Sequence, residues 1–327
     1  MDNLSVHFRG NAGSGMVDYG TKLIRAVDRI NLNVMRGEIL SLVGESGSGK
    51  TTLGRTIIGL ERPTSGKVRV GGVDQKYDRK SLRNLWKKTQ MIFQDPYSTF
   101  NPLATVNDTL SIPLKKFGLA KSEDEVKSKI TVALERTGLK ESELGNKYPS
   151  QLSGGQRQRL AIARALIVSP EIIIADEPVS MLDVSLRAGI LDLLVNLNKE
   201  FGLTLLFITH DLAVAQYISN RIAVMYRGEI VELGTADQVI EHSIHPYTEL
   251  LLKSAPKLKG DQSWVAAQKT AVQPRRSPPK GCKYFDRCPL AIEKCERYRP
   301  ALDLVQTDHY ASCFVRGTPR ILETDGS

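Results

Sequence analysis

The sequence predicts an α/β protein with a mainly parallel sheet. A continuous apolar run, typical of a buried strand, leads into a glycine-rich loop and then a helix. Further apolar strands return later with a helix between the first two, which indicates a βαβ crossover. The predicted strands lie at 4–8, 26–34, 38–43, 67–70, 172–175, 203–208 and 222–225. The predicted core helices lie at 53–60 and 185–200.

Composition limits the class of protein. The chain has 327 residues, 41% of them hydrophobic and 25% charged, which is enough for one large core and a small appendage. It contains no apolar run near the ~20 residues that a bilayer requires and no apolar signal segment, so we expect a cytoplasmic protein. The net charge is +9, but the basic residues are scattered without interleaved aromatic residues. We therefore expect no nucleic-acid partner.

Changes in composition and residue pattern along the chain predict three parts. A large domain covers 1–255 and includes a helical insert at about 95–160, where apolar residues follow three- and four-residue spacing. A polar stretch with prolines crowded at its end, 256–281, is predicted to be a linker. The last part, 282–327, contains all four cysteines.

A phosphate-binding loop follows the apolar strand at 38–43. The pattern G-x-x-x-x-G-K-[ST] stands between a strand and a helix, the context in which it binds a nucleoside triphosphate. Its glycines allow backbone N–H groups to surround phosphate, the lysine contacts the terminal phosphates, and the threonine hydroxyl ligates Mg²⁺. The predicted nucleotide-binding residues are Gly44, Glu45, Ser46, Gly47, Ser48, Gly49, Lys50, Thr51 and Thr52. This motif alone leaves kinases, GTPases and motors open.

A second glycine-rich motif begins a helix about 100 residues later. It consists of Ser153, Gly154, Gly155 and Gln156, preceded by leucine. N–H groups and the helix dipole at such a helix start can bind phosphate. Because the first loop already does this for its own nucleotide, we expect the second motif to face ATP bound by another subunit.

Candidate catalytic residues follow the predicted strands. Asp176 and Glu177 end the strand at 172–175, and ligands collect at this edge of an α/β sheet. Asp176 is predicted to hold Mg²⁺, and Glu177 to orient or deprotonate the attacking water. His210 follows the next strand and is predicted to contact the terminal phosphate, while Gln94 closes another strand and is a predicted Mg²⁺ ligand.

The ordered set of these motifs, completed by Asp183, resembles the ATPase domain of ABC transporters over about residues 1–250. The resemblance implies a P-loop NTPase fold of the ABC type, with a parallel-sheet core, an antiparallel β subdomain and a helical insert, plus a small cysteine-rich C-terminal extension. It also implies a head-to-tail dimer enclosing two ATP molecules, in which 180–183 forms a loop across the interface. Met181 stands there where the family usually has alanine. Phe8 is the expected adenine-stacking residue, with Tyr19 as the alternative.

A narrower resemblance covers nearly the whole chain. The loop Gly-Glu-Ser-Gly-Ser-Gly-Lys, the segment FQDPYSTFNP at 93–102 and HPYT at 245–248 are similar to ATPase subunits of oligopeptide and dipeptide importers, especially the second subunit of the pair. Ser150 departs from the histidine often found there.

This resemblance implies ATP hydrolysis coupled to peptide import at the cytoplasmic face of a membrane. The implied partners are a second ABC ATPase subunit, two membrane permeases and, indirectly, an extracytoplasmic substrate-binding protein. Sugars or nickel remain alternative cargoes. ABC ATPases of DNA repair or of ribosomes fit less well, because the chain has one phosphate loop and a short insert.

The cysteine spacing leaves three interpretations open. Cys282, Cys288, Cys295 and Cys313 are separated by five, six and seventeen residues. Zinc usually uses pairs two to four residues apart, whereas iron–sulfur clusters accept varied loops, and free thiols are also compatible. Similar tails in the peptide-importer subunits hold a [4Fe-4S] cluster, so the resemblance favours that cofactor beside ATP and Mg²⁺, with Zn²⁺ as the alternative.

Overall fold

The structure, a computed structural model, describes residues 1–10, 22–254 and 281–322. Its strands are β1 (Asp2–Gly10), β2 (Lys22–Ile30), β3 (Ile39–Val43), β4 (Ser65–Lys67), β5 (Arg69–Val70), β6 (Val73–Asp74), β7 (Thr89–Ile92), β8 (Ile172–Asp176), β9 (Thr204–Thr209), β10 (Arg221–Tyr226), β11 (Glu229–Thr235), β12 (Arg299–Pro300), β13 (Asp303–Gln306), β14 (His309–Ala311) and β15 (Ile321–Leu322). Its helices are α1 (Lys50–Ile57), α2 (Arg79–Lys88), α3 (Val106–Phe117), α4 (Glu123–Arg136), α5 (Glu141–Leu144), α6 (Gly154–Leu166), α7 (Val184–Phe201), α8 (Leu212–Ile218), α9 (Ala236–Glu241), α10 (Pro246–Ser254) and α11 (Glu293–Arg297). The predicted α/β class is confirmed.

The chain divides into two compact units. The first consists of Met1–Leu4, Asn31–Leu40 and Thr51–Ile208. The second consists of Ser5–Ile30, Ser41–Lys50 and Thr209–Ser327. The predicted linker, 256–281, lies outside the described residues apart from Gly281.

The first unit contains a parallel sheet. Its strands follow the order β3-β9-β8-β7, and β8 pairs in parallel with both β7 and β9. Ile173, Ile174 and Ala175 in β8 have no exposed surface. A strand covered on both faces needs such a continuous apolar sequence, which is why these residues form the centre of the sheet.

Three helices of the first unit enclose a second core. Apolar residues of α3, α4 and α6, among them Leu110, Leu134 and Leu160, are completely buried in one cluster. Thr105 caps the start of helix α3: its hydroxyl oxygen accepts from the Asp108 N–H at 3.1 Å, while the Asp108 carboxylate accepts from the Thr105 N–H at 3.0 Å. This reciprocal cap fixes where the helix starts.

The second unit contains an antiparallel sheet that the C-terminal residues extend. Its strands follow the order β13-β14-β11-β10, and each neighbouring pair is antiparallel. Glu232 of β11 lies opposite Ala311 of β14, and its side chain accepts from the ring of His309, with 2.8 Å between Oε1 and Nε2. Glu232 and His309 are fully buried, and the Glu232 carboxylate also accepts from two backbone N–H groups, of Ile244 and His245, at 2.7 and 2.9 Å. These buried hydrogen bonds attach the C-terminal segment to this sheet.

The strand predicted at 26–34 ends earlier than expected, at Ile30. Arg29 has a positive φ of 57°, which interrupts extended backbone just before the strand ends. Among the described residues, no helix has both the length and the apolar character needed to span a bilayer.

Candidate nucleotide site

The phosphate loop joins β3 to α1, and its backbone requires glycine. Gly47 and Gly49 have φ values of 76° and 107°. A Cβ at Gly49 would lie 2.0 Å from the carbonyl oxygen of Ala26. With glycine the loop lies directly against this backbone and can present its N–H groups to an anion.

Lys50 is held across this loop. Its side chain is 5% exposed, and Nζ donates to the carbonyl oxygens of Gly44 at 2.7 Å and Glu45 at 2.8 Å. A longer contact of 3.4 Å joins Nζ to the Ser48 hydroxyl. The buried ammonium therefore supplies positive charge beside the loop in a fixed orientation.

Thr51 begins the part of the motif that belongs to the first unit. Its hydroxyl donates to Asp176 Oδ1 at 3.1 Å, although the two residues are 125 positions apart. Asp176 ends β8 and is 4% exposed. A hydroxyl and a carboxylate side by side are the hard oxygen ligands that Mg²⁺ uses, so these residues fit that ion.

Glu177 lies beside this oxygen pair in the sequence and has a strained backbone. Its φ is 46°, in the left-handed region, and its N–H donates to the Ile208 carbonyl at 2.9 Å. Gln94, which follows β7, donates from Nε2 to Glu177 Oε2 at 3.2 Å. Such strain in a non-glycine residue persists where its surroundings fix the residue, which is common at active sites. The structure thus brings the predicted base and the predicted amide ligand together.

The second glycine-rich motif forms the start of α6. The Ser153 hydroxyl accepts from the Gln156 N–H at 3.2 Å, and the Gln156 side chain accepts from the Ser153 N–H at 3.0 Å. A Cβ at Gly155 would lie 3.3 Å from Leu186, so glycine permits close packing between α6 and α7. Gly154, at the first position of α6, is partly exposed.

Asp183 caps α7 in the loop that follows Glu177. Its Oδ1 accepts from the Ser185 hydroxyl at 2.6 Å and from the Leu186 N–H at 3.0 Å. The hydrogen bond from Ser185, followed by that from Leu186, lowers the pKa of Asp183. Met181 in the same loop is 65% exposed. The loop therefore presents an ionised carboxylate and an apolar side chain at the surface of its unit.

The structure also places the remaining predicted residues. His210 follows β9 and is exposed, and Phe8 on β1 is 38% exposed. Ser46 is exposed, and Thr52 is partly buried in the first turn of α1. Tyr19 lies outside the described residues. Their nucleotide contacts stay predictions.

Two residues that contact the phosphate loop were not found by sequence reasoning. The Tyr247 hydroxyl oxygen accepts from the Glu45 N–H at 2.9 Å. Arg287 donates to both carboxylate oxygens of Glu45, at 2.8 and 2.9 Å. Hydrogen bonding from Arg287 outweighs burial and lowers the pKa of Glu45. The HPYT segment was a signal for Tyr247, but its role could not be assigned without the fold.

The predicted iron–sulfur cluster and its zinc alternative are wrong. In the described ranges, which include all four cysteines, no group of three or more His, Cys, Asp or Glu side chains could hold a metal ion. Cys282, Cys288, Cys295 and Cys313 are free thiols. Burial raises the pKa of Cys282 to about 12 and also raises the pKa values of Cys288 and Cys313. The raised pKa values favour the neutral thiol form of these three side chains at neutral pH.

The loop, the buried lysine and the Thr51–Asp176 pair define a P-loop nucleotide-binding protein. The model of the ABC transporter family matches residues 27–180, and that of the oligopeptide/dipeptide transporter C-terminal region matches residues 231–295. The probable peptide ABC transporter ATP-binding protein y4tS of Sinorhizobium fredii is 41% identical over 97% of this chain and 89% of its own length. The oligopeptide transport ATP-binding protein OppF of Salmonella typhimurium is 41% identical over 92% of this chain and 91% of its own length.

A solved structure shares the fold. The dimeric ATP-binding cassette MJ0796, in a post-hydrolysis state bound to ADP and Pi, superposes with a TM-score of 0.63 and 34% identity, covering 72% of this chain and 97% of that one. The chain belongs to the ATP-binding subunits of the oligopeptide/dipeptide ABC transporter family.

Proposed function

We propose that this chain hydrolyses ATP to power the import of peptides through a membrane ABC transporter. The observation that carries the proposal is the arrangement at the end of β8, where Asp176 contacts Thr51 and the next residue, Glu177, contacts Gln94. These four polar side chains supply oxygen ligands and a base, the groups that phosphoryl transfer to water requires. The curated relatives, which are peptide transport proteins by name, support the cargo.

Each side chain has a proposed role in hydrolysis. Glu177 orients the attacking water and accepts its proton, while Gln94 fixes the carboxylate through the 3.2 Å hydrogen bond. Lys50 binds the terminal phosphates, with the loop N–H groups from 44–51 around them, and His210 contacts the phosphate that leaves. Thr51, Asp176 and Gln94 would hold Mg²⁺, which supplies positive charge to the phosphates. Phe8 stacks on the adenine.

The active form is proposed to be a dimer with a related ATPase subunit. The start of α6, from Ser153 to Gln156, binds the nucleotide held by the partner, and Asp183 lies in the loop that crosses the interface. The proposed partner is a different ABC ATPase, with this chain as the second subunit of the pair. ATP binding closes the dimer, and this conformational change is transmitted to the permeases through the Gln94 region and the helical insert.

The proposed wider assembly is supported by the same family membership. Two permeases hold the ATPase pair at the cytoplasmic face of the membrane as a peripheral component, an extracytoplasmic binding protein delivers the peptide, and no nucleic acid takes part. Within the chain, residues 1–255 form the ATPase domain, and 282–327 form a cysteine-containing C-terminal extension without metal.

Peptide uptake in cells tests the proposal. The chain is replaced by its Lys50→Ala variant, and uptake of a labelled tripeptide, a labelled oligosaccharide and nickel is measured. We expect loss of tripeptide uptake alone, because the variant lacks the ammonium that binds the phosphates. Unchanged peptide uptake with loss of sugar or nickel uptake would overturn the peptide assignment, and unchanged uptake of all three would overturn the transport role.

A further inference from the structure

One residue of the phosphate loop is bound at two points by residues far along the chain. The backbone N–H of Glu45 donates to the Tyr247 hydroxyl, and the Glu45 carboxylate accepts two hydrogen bonds from Arg287. Both partners fall within 231–295, the segment that matches the transporter C-terminal region, and neither falls within the ABC match at 27–180. The C-terminal region therefore contributes to the shape and charge of the phosphate loop.

Arg287 is held in place by its neighbours in the sequence. Lys283 donates to Asp28 Oδ2 at 2.7 Å, and Arg299 donates to the same oxygen at 2.7 Å. Asp28 is 3% exposed, so this ion pair is largely removed from water. Between the two anchors, Tyr284 is 2% exposed in the aromatic and aliphatic core of the second unit. The segment that carries Arg287 is thus anchored on both sides, and two hydrogen bonds to the Glu45 carboxylate orient the guanidinium.

The charge at Glu45 matters because of what the loop binds. The lowered pKa of Glu45 keeps its carboxylate ionised at neutral pH. An unpaired negative charge within a loop that binds a triphosphate would repel the ligand. A bidentate guanidinium cancels this charge and also fixes the direction of the side chain.

We propose that Arg287 is a positioning residue for ATP. It pairs with Glu45, removes the negative charge of that carboxylate from the phosphate site, and so couples the C-terminal region to nucleotide affinity. The inference rests on the proposed function, since it concerns the same nucleotide site. It assigns to Arg287 no contact with ATP itself.

The test compares the full-length wild type with Arg287→Met, Glu45→Gln and the double variant. ATP affinity is measured by displacement of a fluorescent ATP analogue in EDTA, which suppresses turnover. We expect Arg287→Met to weaken ATP binding about tenfold at low salt, and less at high salt, because one nearby charge has been unmasked. The ATP affinity of the double variant should lie within about threefold of that of Glu45→Gln, since the carboxylate that would repel the phosphates has been removed.

Arg320→Met is the matched control. Arg320 is an arginine of the same C-terminal segment that pairs with a carboxylate, Asp303, at 2.6 Å, but it is 83% exposed and pairs outside the loop. We expect wild-type ATP affinity for this variant. If Arg287→Met fails to fold, Arg287→Gln, which also removes the positive charge but keeps a polar side chain, replaces it with and without Glu45→Gln. The Arg287→Gln variant should bind ATP more weakly than the wild type but recover with Glu45→Gln.

The outcomes separate the inference from the proposed function. Wild-type affinity in Arg287→Met, or a double variant as weak as Arg287→Met, would overturn the inference while ATP binding by the wild type stands. A wild-type chain that binds no ATP would overturn the proposed function and the inference together. Purely structural damage from Arg287→Met would persist in the double variant, whereas an electrostatic effect would not.

Discussion

Replacing Gly49 by alanine is expected to destabilise the phosphate loop far more than the same change at Gly47. At Gly49 the φ is 107°, and the new Cβ would lie 2.0 Å from the Ala26 carbonyl oxygen and 2.8 Å from the Met225 side chain. Backbone strain of about 1–3 kcal/mol adds to a packing cost of about 1–3 kcal/mol, because the opposing backbone must move. We therefore expect the free energy of unfolding to fall by about 2–6 kcal/mol.

Gly47 provides the matched comparison within the same loop. Its φ is 76°, but a Cβ there would meet no atom within 4 Å. Only the left-handed strain of about 1–2 kcal/mol applies. Urea unfolding of both variants and ATP titration of each would measure the difference. If Gly49→Ala and Gly47→Ala had the same unfolding midpoint and the same ATP affinity, the reasoning would be refuted.

Three further predictions follow from the site and its surroundings. Glu177→Gln should still bind ATP but release phosphate at least about 100-fold more slowly, because the proposed base is lost; normal phosphate release would contradict this role. Thr51→Val removes the hydroxyl that donates to Asp176, so about tenfold more Mg²⁺ should be needed for half-maximal turnover; an unchanged Mg²⁺ requirement would exclude the shared ion. Burial lowers the pKa of His245 to about 3, so this side chain is neutral in the fold but takes up a proton below pH 6.5 when unfolded. Its contribution to stability is therefore complete above pH 6.5 and falls by about 2 kcal/mol by pH 5, and urea unfolding of His245→Asn should lack this part of the pH dependence.

The strands of the core could be predicted closely from the sequence. The run at 203–208 corresponds to β9 (Thr204–Thr209), and the run at 38–43 corresponds to β3 (Ile39–Val43). Their apolar sequences are continuous because they lie inside the molecule, which makes them distinct from amphipathic elements. The phosphate loop was equally clear, since its glycines are required by local backbone geometry.

Long-range contacts could not be predicted in this way. Nothing in the local sequence around Glu45 indicates that a guanidinium 242 positions later binds its carboxylate. The cysteines show the same limitation. Their spacing left zinc, an iron–sulfur cluster and free thiols open, and the family resemblance favoured the cluster. The burial of these thiols depends on side chains that neither the spacing nor the resemblance describes.

The distance between Glu45 and Arg287 in the sequence also sets an order of events during synthesis. A ribosome that adds about 5–20 residues per second would make Arg287 roughly 12–50 s after Glu45. Through that interval the loop and the buried strand β3 before it lack the later residues against which they pack. We expect a nascent chain stopped at Glu241, the last residue of α9, to show no crosslinking to labelled ATP, although it contains the entire ABC match at 27–180. Only chains synthesised well beyond Glu241 would then bind nucleotide. Shorter nascent chains would not compete for ATP or for the permeases.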